Sequence, residues 1–169
     1  MNSSVTLMKN SPLEFEHIVQ VNDPLDRVNI SVKRNELWEG LLLRARRPDR
    51  FNDALICESS EIVDNRFERR TEAGDQVFTE IVTLKPEESI ITKSSWEVDA
   101  NSNHAESLTQ IEEPEPNFLF VRFRYKRDIP EGSSGVDIGQ YLKSAYVQLD
   151  SEAISKIRMM VEQRSILNN

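Results

Sequence analysis

The most constraining feature of this sequence is a series of short segments in which apolar and polar residues alternate, separated by turn-forming sequences. The segments are residues 56–63, 66–71, 76–84, 89–98, 104–112 and 117–126. Turn formers such as Asp64-Asn65 and Ala73-Gly74-Asp75 stand between them. Residues 13–21 alternate in the same way and predict a seventh strand. Because short turns join antiparallel neighbours, the sequence predicts a mostly antiparallel sheet.

Two other segments have the period of a helix. In residues 33–46, the apolar positions Trp38, Leu41, Leu42 and Ala45 predict a helix that ends before Pro48. A short turn is expected at 49–52. After a loop at 129–136, residues 137–164 predict one helix about 42 Å long, with Asp137 as its N-cap. Its predicted apolar stripe is Ile138, Tyr141, Leu142, Ala145, Leu149, Ala153, Ile157 and Met160.

Length and composition limit the class of protein. The 169 residues predict one domain at 13–165, preceded by a flexible arm at 1–12. The net charge of −8 argues against nucleic-acid partners, and no apolar stretch is long enough for membrane insertion. A lone cysteine, Cys57, and two separated histidines argue against a metal site, and no motif predicts a cofactor. The first residues lack the pattern of a secretory signal, so we expect a cytoplasmic protein.

The two predicted layers differ in width. Seven strands make a sheet roughly 30 Å wide, whereas one helix is only about 10–12 Å across. The sheet must therefore curl around the long helix to cover its apolar face. The sequence thus predicts an α+β domain in which a curved sheet grips a helix, with space for a cavity between them.

Several segments resemble a known family. These are LEFEHIVQVN (13–22), LWEGLLLRARRP (37–48), IEEPEP (111–116) and SAYVQLD (144–150). They are similar to the AtaL-like family of the START and birch-pollen-allergen superfamily. The resemblance implies the helix-grip fold, and relatives in the superfamily bind sterols, lipids or plant hormones or act as polyketide cyclases. It supplies no catalytic residues, and we assign none.

The predicted cavity is lined by residues that the alternation turns inward. His17 is its central titratable group, either as a general base or polar anchor or as an ordinary core histidine. Tyr125 and Tyr141 offer apolar rings with polar tips. The complete predicted ligand-binding set is His17, Trp38, Leu41, Phe67, Trp96, Val121, Phe123, Tyr125, Tyr141 and Leu142.

Three charged features have a simpler interpretation beside the functional one. Glu80 and Arg69 either face water, which is the favoured interpretation, or point inward as a pair. Asp150 either faces the cavity mouth or, in the favoured interpretation, faces solvent or hydrogen-bonds the long helix to a strand. The arginines at 44, 46, 47 and 50 are interpreted as a solvated helix end, with an anion site at the cavity rim as the alternative.

The sequence leaves three functions open. The first is binding of a small hydrophobic or aromatic molecule without chemistry. The second is a polyketide cyclase or dehydratase that uses His17 or the Glu80 and Arg69 pair. The third is a protein-interaction module whose core fills the cavity. The sequence does not decide whether the protein is an enzyme and leaves a homodimer open.

Overall fold

The computed structural model describes residues 12–129 and 137–167. Most of the predicted arm (1–12) and of the predicted loop (129–136) therefore lies outside the described residues. The elements are β1 (Leu13–Gln20), α1 (Arg34–Arg46), a 3-10 turn (Pro48–Arg50), β2 (Leu55–Ser59), β3 (Arg66–Ala73), β4 (Gln76–Lys85), β5 (Ser89–Val98), β6 (Asn101–Glu112), β7 (Phe120–Arg127) and α2 (Ile138–Leu167).

The seven strands form one antiparallel sheet in the order β1-β7-β6-β5-β4-β3-β2. Hairpins join β2 through β7 in sequence, and β1 returns to pair with the last strand. The curved sheet and the long α2 form the helix-grip fold, which confirms the predicted fold class. Asp137 caps α2, since its Oδ1 accepts a hydrogen bond from the Gln140 N–H at 3.0 Å.

The predicted boundary between the fifth and sixth strands is wrong by several residues. The sixth strand is predicted to begin at His104, whereas β6 begins at Asn101. The turn is made instead by Asp99 and Ala100, whose φ angles are +51° and +62°. Two consecutive left-handed residues match the twist of the flanking strands, so the hairpin closes early even though one of the two is alanine.

The alternation in β7 assigns its two faces correctly. Phe123 and Val121 are completely buried on the concave face. On the convex face, Arg122 contacts Glu16 and Glu112, so opposite charges pair across neighbouring strands. One set of side chains therefore builds the core, and the other builds a charged outer surface.

The part of α2 that reaches the core lies further along the helix than predicted. The predicted apolar stripe places Leu142, Ala145 and Leu149 against the sheet. The α2 residues in the apolar core cluster are instead Ile154, Ile157 and Val161. None of the residues 138–149 is buried, and Tyr141 is 70% exposed. Only the C-terminal half of α2 is gripped closely.

Close contact between the two helices depends on Gly40 of α1. A Cβ atom at this position would stand 2.5 Å from Cγ2 of Ile157, which is 1% exposed. A segment before α1 is also held to α2, because Arg158 donates a hydrogen bond to the Ile30 carbonyl at 3.0 Å. These contacts fix α1 across one end of the sheet.

We predict that Gly40→Ala destabilises the protein by about 1–3 kcal/mol, because it overpacks the site against Ile157. At an unobstructed helix position the same change is stabilising by about 1 kcal/mol. Urea unfolding of the native protein and the variant measures the difference. In an Ile157→Ala background, which makes room for the new methyl group, Gly40→Ala should become neutral or stabilising. A stabilising effect in the native background would contradict the packing.

Candidate functional site

A buried carboxylate, Asp150 of α2, links three elements of the fold. Its side chain is completely inaccessible to solvent. Oδ2 lies 2.7 Å from Nε2 of His17 in β1 and accepts a hydrogen bond from the Tyr125 hydroxyl of β7 at 2.6 Å. Arg44 of α1 approaches the other oxygen. The predicted bond from helix to strand is therefore present, but Asp150 is interior.

Tyr125 stays protonated in this setting. Burial of the phenol raises its pKa well above the ordinary value, and the negative charge of Asp150 raises it further. The ring stacks on Tyr146 of α2 at a centroid distance of 4.1 Å and on Phe15 of β1 at 5.3 Å. Tyr125 thus acts as a hydrogen-bond donor held in place by aromatic neighbours.

The two oxygens of Asp150 are not equally satisfied. Nη1 of Arg44 lies 2.8 Å from Oδ1, which is close enough for an ion pair. No donor among the described residues is aligned for a hydrogen bond with that oxygen, however. Arg44 itself lies over the Phe123 ring, with its guanidinium carbon 5.8 Å from the centroid. The charge of Asp150 is compensated by Arg44, but its Oδ1 atom can still accept a hydrogen bond.

Glu80 forms a second buried cluster, which corrects the interpretation that Glu80 and Arg69 face water. Arg69 binds both carboxylate oxygens, at 2.9 and 2.8 Å. Thr71 and Ser94 each add a hydroxyl donor, at 2.6 and 2.8 Å. Burial would raise the pKa of Glu80, but these bonds outweigh it and the pKa lies below the ordinary 4.5. With four donors, this carboxylate is fully satisfied.

A group of half-buried residues lies on the concave face and on the N-terminal half of α2. The inward positions of β5 and β6 here carry small side chains: Ser94, Ala105, Ser107 and Thr109. All four are only half-buried, as are Leu142, Ala145 and Leu149 on the helix. We call the region between these sheet and helix positions the α2 cleft.

The predicted binding residues do not all lie at this cleft. The apolar cluster that fills the closed half of the grip contains Leu41, Phe67, Val121 and Phe123, with Trp38 packed against it. His17, Tyr125 and Leu142 are partly accessible, and Tyr141 points away from the protein interior at 70% exposure. Trp96 is buried under the Arg127 guanidinium, whose carbon lies 5.2 Å from the ring centroid.

Sequence reasoning did not identify Arg44 as part of the site. The four arginines of the basic cluster have different environments, which corrects their interpretation as one solvated helix end. Arg44 pairs with buried Asp150, and Arg46 lies 4.9 Å over the Phe67 ring. Arg47 pairs with Asp49 at the surface. The sequence did contain a signal for the burial of Asp150, the partner of Arg44. Asp150 has the same helical phase as Ala153, Ile157 and Val161, which are buried.

The described residues hold neither a helix that could cross a membrane nor a group of three potential metal ligands among histidine, cysteine, aspartate and glutamate. His104 is exposed. A shallow depression of about 360 Å³ lies mainly over the charged outer face of β1, β7 and β6, lined by residues including Glu14, Glu16, Leu108 and Lys126. Across the strands, Glu16 pairs with Arg124 and Glu14 pairs with Lys126.

Comparison with known proteins gives one family. The model of the family described as "AtaL: Acetylaranotin biosynthesis cluster protein L" matches residues 19–164. No curated protein sequence matches the chain. The family that the sequence segments resemble is thereby confirmed.

Solved structures share the fold at low sequence identity. The di-domain ARO/CYC StfQ of the steffimycin biosynthetic pathway is 14% identical with a TM-score of 0.66, over 92% of this chain and 52% of StfQ. The chain thus spans about half of that protein. The Zhui aromatase/cyclase from Streptomyces sp. R1128 is 12% identical with a TM-score of 0.59, over 90% and 94% of the two chains. Ara h 8.0201 is 9% identical with a TM-score of 0.58, over 87% and 98%.

We predict that Glu80 makes the protein less stable in acid. Its lowered pKa means that the unfolded state binds the proton more readily, so the stabilisation is complete above about pH 4.5 and is lost as pH falls through the folded-state pKa. Glu80→Gln should cost about 3–5 kcal/mol near neutral pH, because it leaves Arg69 uncompensated. Urea unfolding from pH 6 to pH 3 should show the gap between native protein and variant narrowing. A constant gap would contradict the assignment.

Proposed function

The chain belongs to the AtaL family, and we propose that it binds a small, mainly aromatic molecule in the α2 cleft. The observation that carries this proposal is the contrast between the two halves of the grip. Residues 150–161 of α2 bury five side chains, namely Asp150, Ala153, Ile154, Ile157 and Val161. Residues 138–149 bury none. A fold that packs one half of its helix closely and lines the other with small residues has room for a ligand.

The walls of the cleft suit a planar, partly polar molecule. Tyr125, Tyr146 and Phe15 stack beside it and offer ring faces. Ser94, Ser107 and Thr109 supply hydroxyl groups along the sheet. The named family refers to a biosynthesis cluster, and two proteins with this fold are described as aromatase/cyclases. These descriptions agree with a small-molecule ligand better than with a protein-interaction module.

Occupation of the cleft is tested by filling it. A neutral aromatic fluorophore, N-phenyl-1-naphthylamine, should bind the native protein with micromolar affinity. Leu142→Trp adds volume on the half-buried side of α2 and should abolish binding. Val147→Trp is the matched control, because Val147 is 40% exposed on the outer side of the helix. Fluorescence titration measures both variants, and equal binding by the two would refute the cleft as the site.

A second candidate, proton transfer on the bound molecule, is favoured by the contact between His17 and Asp150. If Nε2 of His17 donates to the Asp150 carboxylate, the neutral imidazole carries its lone pair on Nδ1. The imidazole is 14% exposed, whereas Asp150 is not exposed at all. His17 is thus the proposed general base, and Asp150 orients it. Glu80 is not assigned this role, because donors from Arg69, Thr71 and Ser94 already occupy both of its carboxylate oxygens.

Proton transfer is tested without knowledge of the natural substrate. 2-Tetralone carries an acidic C–H between its ring and its carbonyl, and a general base removes that proton to form the enolate. In D₂O, return of a deuteron from solvent leaves a labelled ketone that NMR detects. The native protein should accelerate exchange, and His17→Ala should reduce the acceleration by about 10²–10⁴. Its 2-tetralone affinity should stay within about threefold. If the native protein does not accelerate the exchange, the proton-transfer role is refuted and only the binding function remains.

A further inference from the structure

We propose that the ligand of the α2 cleft carries a hydroxyl group that is seated between Arg44 and Oδ1 of Asp150. This inference rests on the proposed binding function and names the chemistry of the ligand. Its starting point is the buried Oδ1 atom, which lacks an aligned hydrogen-bond donor among the described residues. A buried carboxylate oxygen without a hydrogen bond is costly to keep, so each such group calls for an explanation.

The second buried carboxylate, Glu80, is the comparison for Asp150, because we assign it a structural role only. Both oxygens of Glu80 are hydrogen-bonded, by Arg69, Thr71 and Ser94. At Asp150, by contrast, His17 and Tyr125 both lie on Oδ2. Oδ1, the oxygen on the Arg44 side, is therefore left without an aligned hydrogen bond from the described residues. The comparison points to a group that is supplied from outside the chain.

A hydroxyl group fits this position better than other polar groups. It donates to Oδ1 and at the same time accepts a hydrogen bond from the Arg44 guanidinium. A ligand carboxylate would be repelled by Asp150, and a ketone oxygen has no proton to donate. The Arg44 side chain is 24% exposed, so it has freedom to move from its 2.8 Å approach to Oδ1. One misaligned contact would thereby be replaced by two aligned hydrogen bonds.

The surrounding rings place an aromatic framework next to the hydroxyl group. The His17 ring stacks on the Phe123 ring at 5.2 Å, and Arg44 lies over that same phenyl ring. In the sheet, Phe123 pairs with Thr109, one of the half-buried residues of the cleft. The hydroxyl position therefore adjoins the cleft from its core side. We infer a phenol or a hydroxylated fused-ring compound as the ligand class.

Three naphthalenes that differ in one group test this inference. Isothermal titration calorimetry at pH 7 compares 2-naphthol, which donates and accepts, with 2-methoxynaphthalene, which only accepts, and with naphthalene, which does neither. A hydrogen bond to a charged group predicts that 2-naphthol binds the native protein about ten- to hundredfold more tightly than 2-methoxynaphthalene.

Two pairs of variants locate the preference. Arg44→Met should reduce the preference for 2-naphthol to less than about threefold. Arg46→Met, which changes an arginine that lies over Phe67, should keep it. Asp150→Asn should also lose the preference, and Glu80→Gln should keep it, because Glu80 is already saturated. If Asp150→Asn fails to fold, the Arg44 and Arg46 pair decides the question.

The outcomes separate the inference from the proposed function. Equal affinity of the native protein for 2-naphthol and 2-methoxynaphthalene would overturn the hydroxyl site but would leave the cleft as a binding site. In that case a bound water, and not a ligand hydroxyl group, would satisfy Oδ1 of Asp150. A preference that survived in Arg44→Met would also overturn the hydroxyl site. Failure of all three naphthalenes and of N-phenyl-1-naphthylamine to bind would refute the binding function itself.

Discussion

The contact of Asp150 with His17, Tyr125 and Arg44 is the interaction on which the arrangement of this domain depends. Through one carboxylate, α2 is joined to β1, β7 and α1, which are far apart in the sequence. A buried charge requires such partners, because desolvation is otherwise too costly. The four side chains therefore set where the long helix lies on the sheet and how α1 closes its end. They also bring an imidazole, a phenol and a guanidinium group together around one carboxylate.

The same position divides α2 into two parts with different tasks. Beyond Asp150, the helix packs Ile154, Ile157 and Val161 against the sheet and receives Gly40 of α1. Before Asp150, none of the α2 residues is buried. Stability is concentrated in the first part, and we propose that the second accepts a ligand. The polar group lies at the boundary, where a molecule in the cleft would meet it.

The two buried carboxylates show how local satisfaction separates structure from function. Glu80 is held within neighbouring strands of one sheet, so its donors Arg69, Thr71 and Ser94 are fixed by register alone. Asp150 takes its donors from separate elements and is left with one oxygen unbonded by the described residues. The first arrangement stabilises the sheet. The arrangement around Asp150 is the one that we propose binds a ligand or moves a proton.

The sequence by itself determined the number and order of the strands and helices, the faces of β7 and the inward position of His17, because each follows from a local period of two or 3.6 residues. Local period does not decide which charged residues meet. The pairing of Arg69 with Glu80 depends on strand register, and the burial of Asp150 beside Arg44 depends on how α2 and α1 pack. Likewise, the apolar stripe of α2 predicted contact along its whole length. Only the tertiary structure shows that its first half, including Tyr141 and Leu142, stays away from the core, because a local period does not specify how far along its length a helix packs against distant elements.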